Sequence, residues 1–172
     1  LKSLHLSPDA KVLDCGCGGG ANIKRLLKNC PQGIVEGIDY SEISVEKARK
    51  LNQRAIRDGR CTVCQGSVAQ MGFTDASFDV VTAFETVYFW QDLPKCFQEV
   101  YRVLKPGGTF LICNESNGDT NKDKKWTDII GGMTIYKDTE LKAYLEQAGF
   151  NDIQIHKTKS WLCVTGRKHH QH

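Results

Sequence analysis

The segment Asp14-Cys15-Gly16-Cys17-Gly18-Gly19-Gly20 joins a short apolar run, Lys11 to Cys15, to an amphipathic stretch that runs to about Asn29. Glycine at every second position lets the backbone approach a ligand where a side chain would block it, and a following helix presents N–H donors from its first turn. The same residues satisfy the looser dinucleotide fingerprint, Gly16-x-Gly18-x-x-Ala21. Asp39 follows Gly20 by 19 residues and closes the next apolar run, Gly33 to Asp39. An acid there can accept hydrogen bonds from both hydroxyls of an adenosine ribose. Turn and acid together call for an adenosine-containing ligand without choosing one. Asp14 makes the choice. A carboxylate two residues before Gly16 repels a pyrophosphate lodged at the helix N-terminus and favours an ammonium group. The pattern therefore suits an adenosine carrying a zwitterionic amino acid better than a nicotinamide dinucleotide.

Alternating elements must hold these residues in place. Lys11–Cys15 reads as strand one, 33–39 as strand two, Arg60–Gln65 as strand three, Phe78–Phe84 as strand four and Thr109–Cys113 as strand five. Ser41, with Ser44 as an alternative, is positioned to cap one long helix carrying Val45, Ala48, Leu51, Ala55 and Ile56 at helical spacing. Asp92 opens a further helix with Leu93, Phe97, Val100, Tyr101 and Leu104 on one stripe, stopped by Lys105-Pro106-Gly107-Gly108. Thr139–Ala148 reads as a helix closed by Gly149, followed by two β segments near Ile153–Lys157 and Trp161–Val164. Such alternation implies a parallel sheet with helices on both faces, and the short link between the last two segments implies an antiparallel pair. Leu1–Ala10 resembles the end of an upstream helix and a turn at Ser7-Pro8-Asp9. The long connection from Glu115 to Tyr136 is polar at first and then apolar around Trp126, Ile129, Ile130 and Met133. Residues 167–172 read as a frayed tail.

With 172 residues, 40% hydrophobic and 25% charged, the chain fits one globular domain, taken here as 1–168 with 169–172 as tail. Its longest apolar runs are far short of a membrane span, and no secretory signal opens the chain. The net charge of +3 is too mild and too scattered to call for nucleic acid. A soluble cytoplasmic domain, monomeric or homodimeric, is the expectation. Eight cysteines suit reduced, mostly buried thiols packing as small apolar groups. Cys61-x-x-Cys64 lies in a strand, where residues three apart face opposite ways and cannot share a metal, and Cys17 lies inside a glycine turn, so no metal site is expected.

Four stretches resemble one family in order and spacing. Val12-Leu13-Asp14-Cys15-Gly16-Cys17-Gly18-Gly19-Gly20 resembles the first motif of class I S-adenosylmethionine-dependent methyltransferases. Gly37-Ile38-Asp39-Tyr40-Ser41 resembles their ribose-binding motif, Ser77-Phe78-Asp79-Val80-Val81 the approach to their fourth strand, and Val103-Leu104-Lys105-Pro106-Gly107-Gly108 the turn before their fifth. The resemblance covers nearly the whole chain and implies an α/β, Rossmann-like, doubly wound seven-stranded sheet in the order 3-2-1-4-5-7-6 with strand seven antiparallel. It further implies a lid before strand one, which is short or truncated here.

Carried over position by position, the resemblance implies that Asp14 and the backbone of Gly16 and Gly18, with Cys17 between them, hold the methionine portion of S-adenosylmethionine. Asp39 takes the ribose, Tyr40 packs on the adenine, and Ser41 completes the motif. In Gly66-Ser67-Val68 the family often has an acid at the second position; here Ser67 stands there, and backbone atoms of Ser67 and Val68 would meet the adenine. Phe84 and Glu85 lie where the family contacts the methionine and where acceptor enters. Transfer needs mainly in-line placement of the nucleophile. No catalytic residue is compelling; Glu85 and Tyr88 are candidate bases by location, and Glu85 is equally a substrate-binding acid or a solvated loop residue. Tyr88, Phe89 and Trp90 form an aromatic cluster that either faces the acceptor or packs the core. After strand four the chain has Phe84-Glu85-Thr86-Val87 in place of the Asn/Asp-Pro-Pro-aromatic motif of exocyclic amino methyltransferases of nucleic acids, and it lacks a Pro-Cys pair. A small-molecule acceptor is the expectation. The alternatives are a non-catalytic S-adenosylmethionine-binding module, a nucleic acid methyltransferase and an NAD(P)-dependent oxidoreductase.

Overall fold

The computed structural model describes residues 4–115, 132–158 and 161–170. In chain order these form β1 (Lys11–Cys15), α1 (Ala21–Asn29), β2 (Ile34–Asp39), α2 (Glu42–Leu51), α3 (Gln53–Arg57), β3 (Cys61–Gln65), β4 (Phe78–Phe84), a 3₁₀ turn (Val87–Phe89), α4 (Leu93–Val103), β5 (Leu104–Asn114), α5 (Asp138–Ala148), β6 (Asn151–Lys157) and β7 (Leu162–Arg167). The sheet runs β3-β2-β1-β4-β5-β7-β6, parallel from β3 to β5, with β7 antiparallel to both β5 and β6. This is the order that the family resemblance implies. Strand alternation splits the apolar residues between two faces. Val12, Val35, Val63 and Val80 pack with Ile23, Leu26, Val45 and Ala48 of α1 and α2. Leu13, Ile38, Val81 and Ile112 pack with Phe97 and Val100 of α4 and Leu141 and Leu145 of α5. Cys61 and Cys64 fall on opposite faces, as a strand requires.

Several expectations are corrected. The long helix breaks at Asn52, whose side chain donates to the carbonyls of Ala48 and Gly20, so that α3 starts a fresh turn. β5 begins five residues earlier than its apolar run suggests. Leu104 already pairs with Phe78, and Lys105–Gly108 lie inside the strand at an irregularity where Gly107 has φ +82°. The N-terminal segment 4–7 is not helical; Leu4 and Leu6 pack on the α1 face. Of the segment expected to fray, residues 167–169 are held in place. β7 continues through Arg167, Lys168 Nζ donates to the Tyr101 and Leu104 carbonyls, and His169 pairs with Asn151. Of the apolar cluster in the long connection, Trp126, Ile129 and Ile130 lie outside the described residues.

The thiols are not all reduced. Cys113 on β5 and Cys163 on β7 form a disulfide, while Cys15, Cys17, Cys30, Cys61, Cys64 and Cys96 are free. The pairing follows from register, which composition cannot reveal. The Cys113 carbonyl accepts from Glu85 N–H on the β4 side, so Cys113 faces Cys163 as a non-hydrogen-bonded pair. In an antiparallel ladder that is the closer kind of pair, and the two Cα atoms are 4.2 Å apart. Among the described residues no helix is long and apolar enough to cross a membrane.

Candidate functional site

A cavity of about 690 Å³ opens at the carboxyl ends of the strands, where the order reverses between β1 and β4. This is the crevice in which open α/β sheets bind ligands, and its size suits a small molecule. Gly16, Asp39, Tyr40 and 66–69 form one wall; Thr86, Phe89–Asp92, Lys95 and Cys96 form the other.

Asp39 is the fixed point of the near wall. One carboxylate oxygen accepts from Gly18 N–H at 2.9 Å and the other from Ser41 N–H at 2.8 Å, and the Asp39 carbonyl accepts from Gly66 N–H. Each carboxylate oxygen keeps lone-pair capacity toward the cavity. The glycine turn is locked in the same way: Gly16 and Cys17 N–H both donate to the Ile38 carbonyl, and Gly20 N–H donates to the Cys17 carbonyl. The N–H groups of Gly16 and Gly18 are spent on Ile38 and Asp39, while Gly16 lines the cavity. Gly16 contributes space. Its φ is +69°, and a Cβ there would run into the Thr86 side chain. Donors remain at the N-terminus of α1, which no side chain caps. Gly16→Ala is expected to displace Thr86 and weaken adenosyl-ligand binding at least about tenfold, as strain at positive φ and a clash combine. Calorimetry checks this, and unchanged affinity would remove the close packing of turn against Thr86 from the site.

Asp14 lies at the end of β1 but not on the cavity wall. It is 1% exposed and accepts a 2.7 Å hydrogen bond from Thr82 Oγ1, its register partner on β4. Burial pushes its carboxyl up to about 7; the Thr82 bond pulls the other way, and the charge of Asp39 adds to the rise. Asp14 is thus a buried carboxyl beside the turn, off the cavity wall. Cys17 is buried on the α1 face, near Ile23 and Gly37, and is a packing residue. Ser41 is the N-cap of α2, accepting from Ser44 N–H, and is likewise off the wall. Tyr40 is 85% exposed on the wall, its ring free to be covered by a ligand. Gly66, Ser67 and Val68 line the cavity as expected, with Ser67 Oγ accepting from Ala69 N–H.

Phe84 packs toward the α1 face, and neither it nor Glu85 lines the cavity. Glu85 has φ +55°, and its carboxylate accepts from Tyr88 Oη at 3.1 Å and from Glu115 N–H. Burial holds its carboxyl above the ordinary glutamate range, against those two bonds. Tyr88 is buried. The aromatic cluster divides: Phe89 and Trp90 face the cavity, and Trp90 also donates to Thr86 Oγ1 and stacks over Phe110.

Thr86, at the end of strand four where the resemblance implies methionine contact, lies on the far wall, whereas sequence reasoning missed most of the rest of that wall: Gln91, Asp92, Lys95 and Cys96. The signal was present in α4, where Asp92, Lys95 and Cys96 fall at i, i+3 and i+4 on one face. What brings that face to the 66–69 loop is a network further along. Glu99 accepts from Met71 N–H, and Arg102 donates to the Met71 and Phe73 carbonyls and pairs with Glu99 and Asp75.

Residues 13–112 match the family described as methyltransferase domain. The chain is 32% identical over 159 residues to a cycloartenol-C-24-methyltransferase of Arabidopsis thaliana, covering 87% of this chain and 47% of that one. It therefore spans under half the length of that relative. In fold it is similar to a phosphoethanolamine N-methyltransferase of Haemonchus contortus in complex with S-adenosyl-L-methionine, with TM-score 0.83 at 18% identity, covering 95% of this chain and 50% of that one. A methyltransferase of Aquifex aeolicus aligns with TM-score 0.80 at 20% identity, covering 96% and 85%.

Proposed function

The chain belongs to the class I S-adenosylmethionine-dependent methyltransferase family, and we propose that it transfers the donor's methyl group to carbon of a small, apolar, sterol-type acceptor. The observation that carries the donor half is the Asp39 carboxylate, oriented by Gly18 and Ser41 N–H at the mouth of a cavity the size of a small molecule. Asp39 would take the ribose hydroxyls, Tyr40 and 66–68 the adenine, and the uncapped start of α1 the carboxylate of the methionine moiety. Asp14 would supply the buried negative charge that an ammonium group balances. The residues present fit the donor: acids stand near its cationic end and the ribose, and the free helix N-terminus suits its anionic end. When bound, the donor supplies an electrophilic methyl group on sulfur.

The acceptor half rests on the sterol methyltransferase relatives and on the aromatic wall of Phe89 and Trp90. When an alkene carbon takes the methyl group, its π electrons form the new C–C bond as the methyl–sulfur bond breaks, and the cation left on the acceptor restores a double bond by giving up a proton from a neighbouring C–H bond. We propose Glu85, which stands beside the cavity next to the wall residue Thr86, as the group that takes this proton, with Tyr88 orienting its carboxylate. Glu85→Gln is expected to lower turnover by about 10²-fold or more while donor affinity stays within about twofold. Because burial raises the Glu85 carboxyl, its base form is lost at a higher pH than for an ordinary glutamate. The acid limb of the rate profile should therefore lie above the usual carboxylate range and vanish in the variant. An unchanged acid limb in Glu85→Gln would clear Glu85 of this role. The acceptor reading is tested by incubating the protein with S-adenosylmethionine and cycloartenol and analysing products by mass spectrometry. A C-methylated sterol is expected; formation of S-adenosylhomocysteine with an O- or N-methylated acceptor instead would reject it.

A further inference from the structure

Asn114 ends β5 and is 1% exposed, yet neither atom of its carboxamide has a hydrogen-bond partner among the described residues. The other buried polar side chains described there are paired: Asp14 with Thr82, and Asn52 with two carbonyls. An unpaired buried polar group costs free energy that solvent would return if that end of the strand opened. Something must hold it shut. Asn114 pairs in register with Leu162 at the last step of the β5–β7 ladder, and the step before it is Cys113 with Cys163, joined by the disulfide.

Both backbone anchors of Glu85 flank the same residue. Glu85 N–H donates to the Cys113 carbonyl, and Glu115 N–H donates to the Glu85 carboxylate. Glu85 itself sits at positive φ, where a side chain stays only if its surroundings hold it.

We propose that the Cys113–Cys163 disulfide is a redox latch that holds the end of β5 closed over the unpaired Asn114 amide and thereby positions Glu85. This deepens the methyl-transfer reading by giving its base a regulated placement. A dithiol reductant opens the latch: two electrons and two protons convert the S–S bond to two thiols, and the reductant becomes a disulfide. The step at Asn114 then opens to solvent, and the two anchors of Glu85 loosen together. Donor binding is untouched, because Asp39 and the glycine turn hang on β1 and β2, across β4 from the latch. Among the described residues, the groups bearing on the titration of Glu85 are Tyr88, by its hydroxyl, and Glu115, by its backbone N–H and its charge.

The test uses the full chain, with ¹³C-labelled glutamate side chains, oxidised and after reduction by dithiothreitol. On reduction the Glu85 carboxyl should titrate at least about half a unit closer to the ordinary glutamate range. The amide protons of Glu85 and Glu115 should exchange about tenfold faster or more. Calorimetric affinity for S-adenosylhomocysteine should stay within about twofold. Cys163→Ser should reproduce the reduced state under oxidising conditions. Asn114→Leu supplies the rescue, since it removes the unpaired amide, so the ladder should stay closed and Glu85 should titrate alike in both redox states. Equal titration of wild-type Glu85 in the two states would overturn the proposal. So would a reduction effect that survives in Asn114→Leu. A protein that shows the redox effect but binds no S-adenosylhomocysteine would instead refute the donor reading and leave the latch in place.

Discussion

Asp39→Ala is expected to weaken binding of S-adenosylmethionine and S-adenosylhomocysteine by about two to three orders of magnitude. Two hydrogen bonds from ribose hydroxyls to a carboxylate are charge-assisted; at the lower end of their range, about 1.5–2 kcal/mol each, they sum to about 3–4 kcal/mol, a factor of about 10² to 10³. The alanine also orphans Gly18 and Ser41 N–H, loosening the glycine turn and the first residues before α2. A ligand with a dideoxyribose separates the two effects. Wild-type protein should lose about as much affinity for that ligand as the variant loses for the natural one, and the variant should not distinguish the two ligands. A variant that still prefers the intact ribose would move ribose recognition to another residue.

The second large effect belongs to Asp14, whose folded carboxyl is pushed up to about 7 by burial. An unfolded aspartate titrates near about 3.9. Between those values the folded chain holds a proton that the unfolded chain has lost, so this contribution to stability is fully present below about 4. It declines as pH rises toward about 7, by roughly 4 kcal/mol in total. Asp14→Asn escapes the decline but leaves a buried NH₂ without a sure partner, at a cost of about 1–3 kcal/mol. The variant should therefore be more stable than wild type at pH 8 by about 2 kcal/mol and no more stable at pH 4. Denaturant melts at the two pH values check the sign; a gap that widens toward acid would contradict it. Function links to the same group. A donor ammonium favours the ionised carboxylate, so donor binding near pH 6 should release up to about one proton. That proton is visible as a dependence of calorimetric heat on buffer ionisation enthalpy, and the dependence should vanish in Asp14→Asn. The variant should also bind the donor about tenfold more weakly or worse.

The element succession was legible because its signals are local, while the sheet order came from the family resemblance. Short apolar runs mark β1, β2 and β4, Ser41 and Asp92 cap α2 and α4, and the short link before β7 calls for an antiparallel neighbour. Features that depend on distant residues were not legible. α2 and α3 separate because Asn52 reaches a carbonyl at Gly20, and β5 starts early because Leu104 finds Phe78. At the site, the sequence identified Asp39, Tyr40 and 66–68 as wall residues, but it assigned to ligand contact several groups that instead hold the wall up. Gly18 and Ser41 orient Asp39, and Cys17 packs the core. The far wall depends on how Glu99 and Arg102 tie α4 to the 71–75 loop, a packing fact without a sequence motif. The disulfide depends on register between strands whose cysteines are 50 residues apart.

The most direct measurement is isothermal titration of the protein with S-adenosylhomocysteine and, separately, with NAD at pH 6 in two buffers of different ionisation enthalpy. The expected result is one site for S-adenosylhomocysteine, of about micromolar affinity or tighter, with proton release and no heat from NAD. Binding of NAD, or no binding of S-adenosylhomocysteine, would contradict the assignment of the glycine turn, Asp14 and Asp39 to a methyl donor.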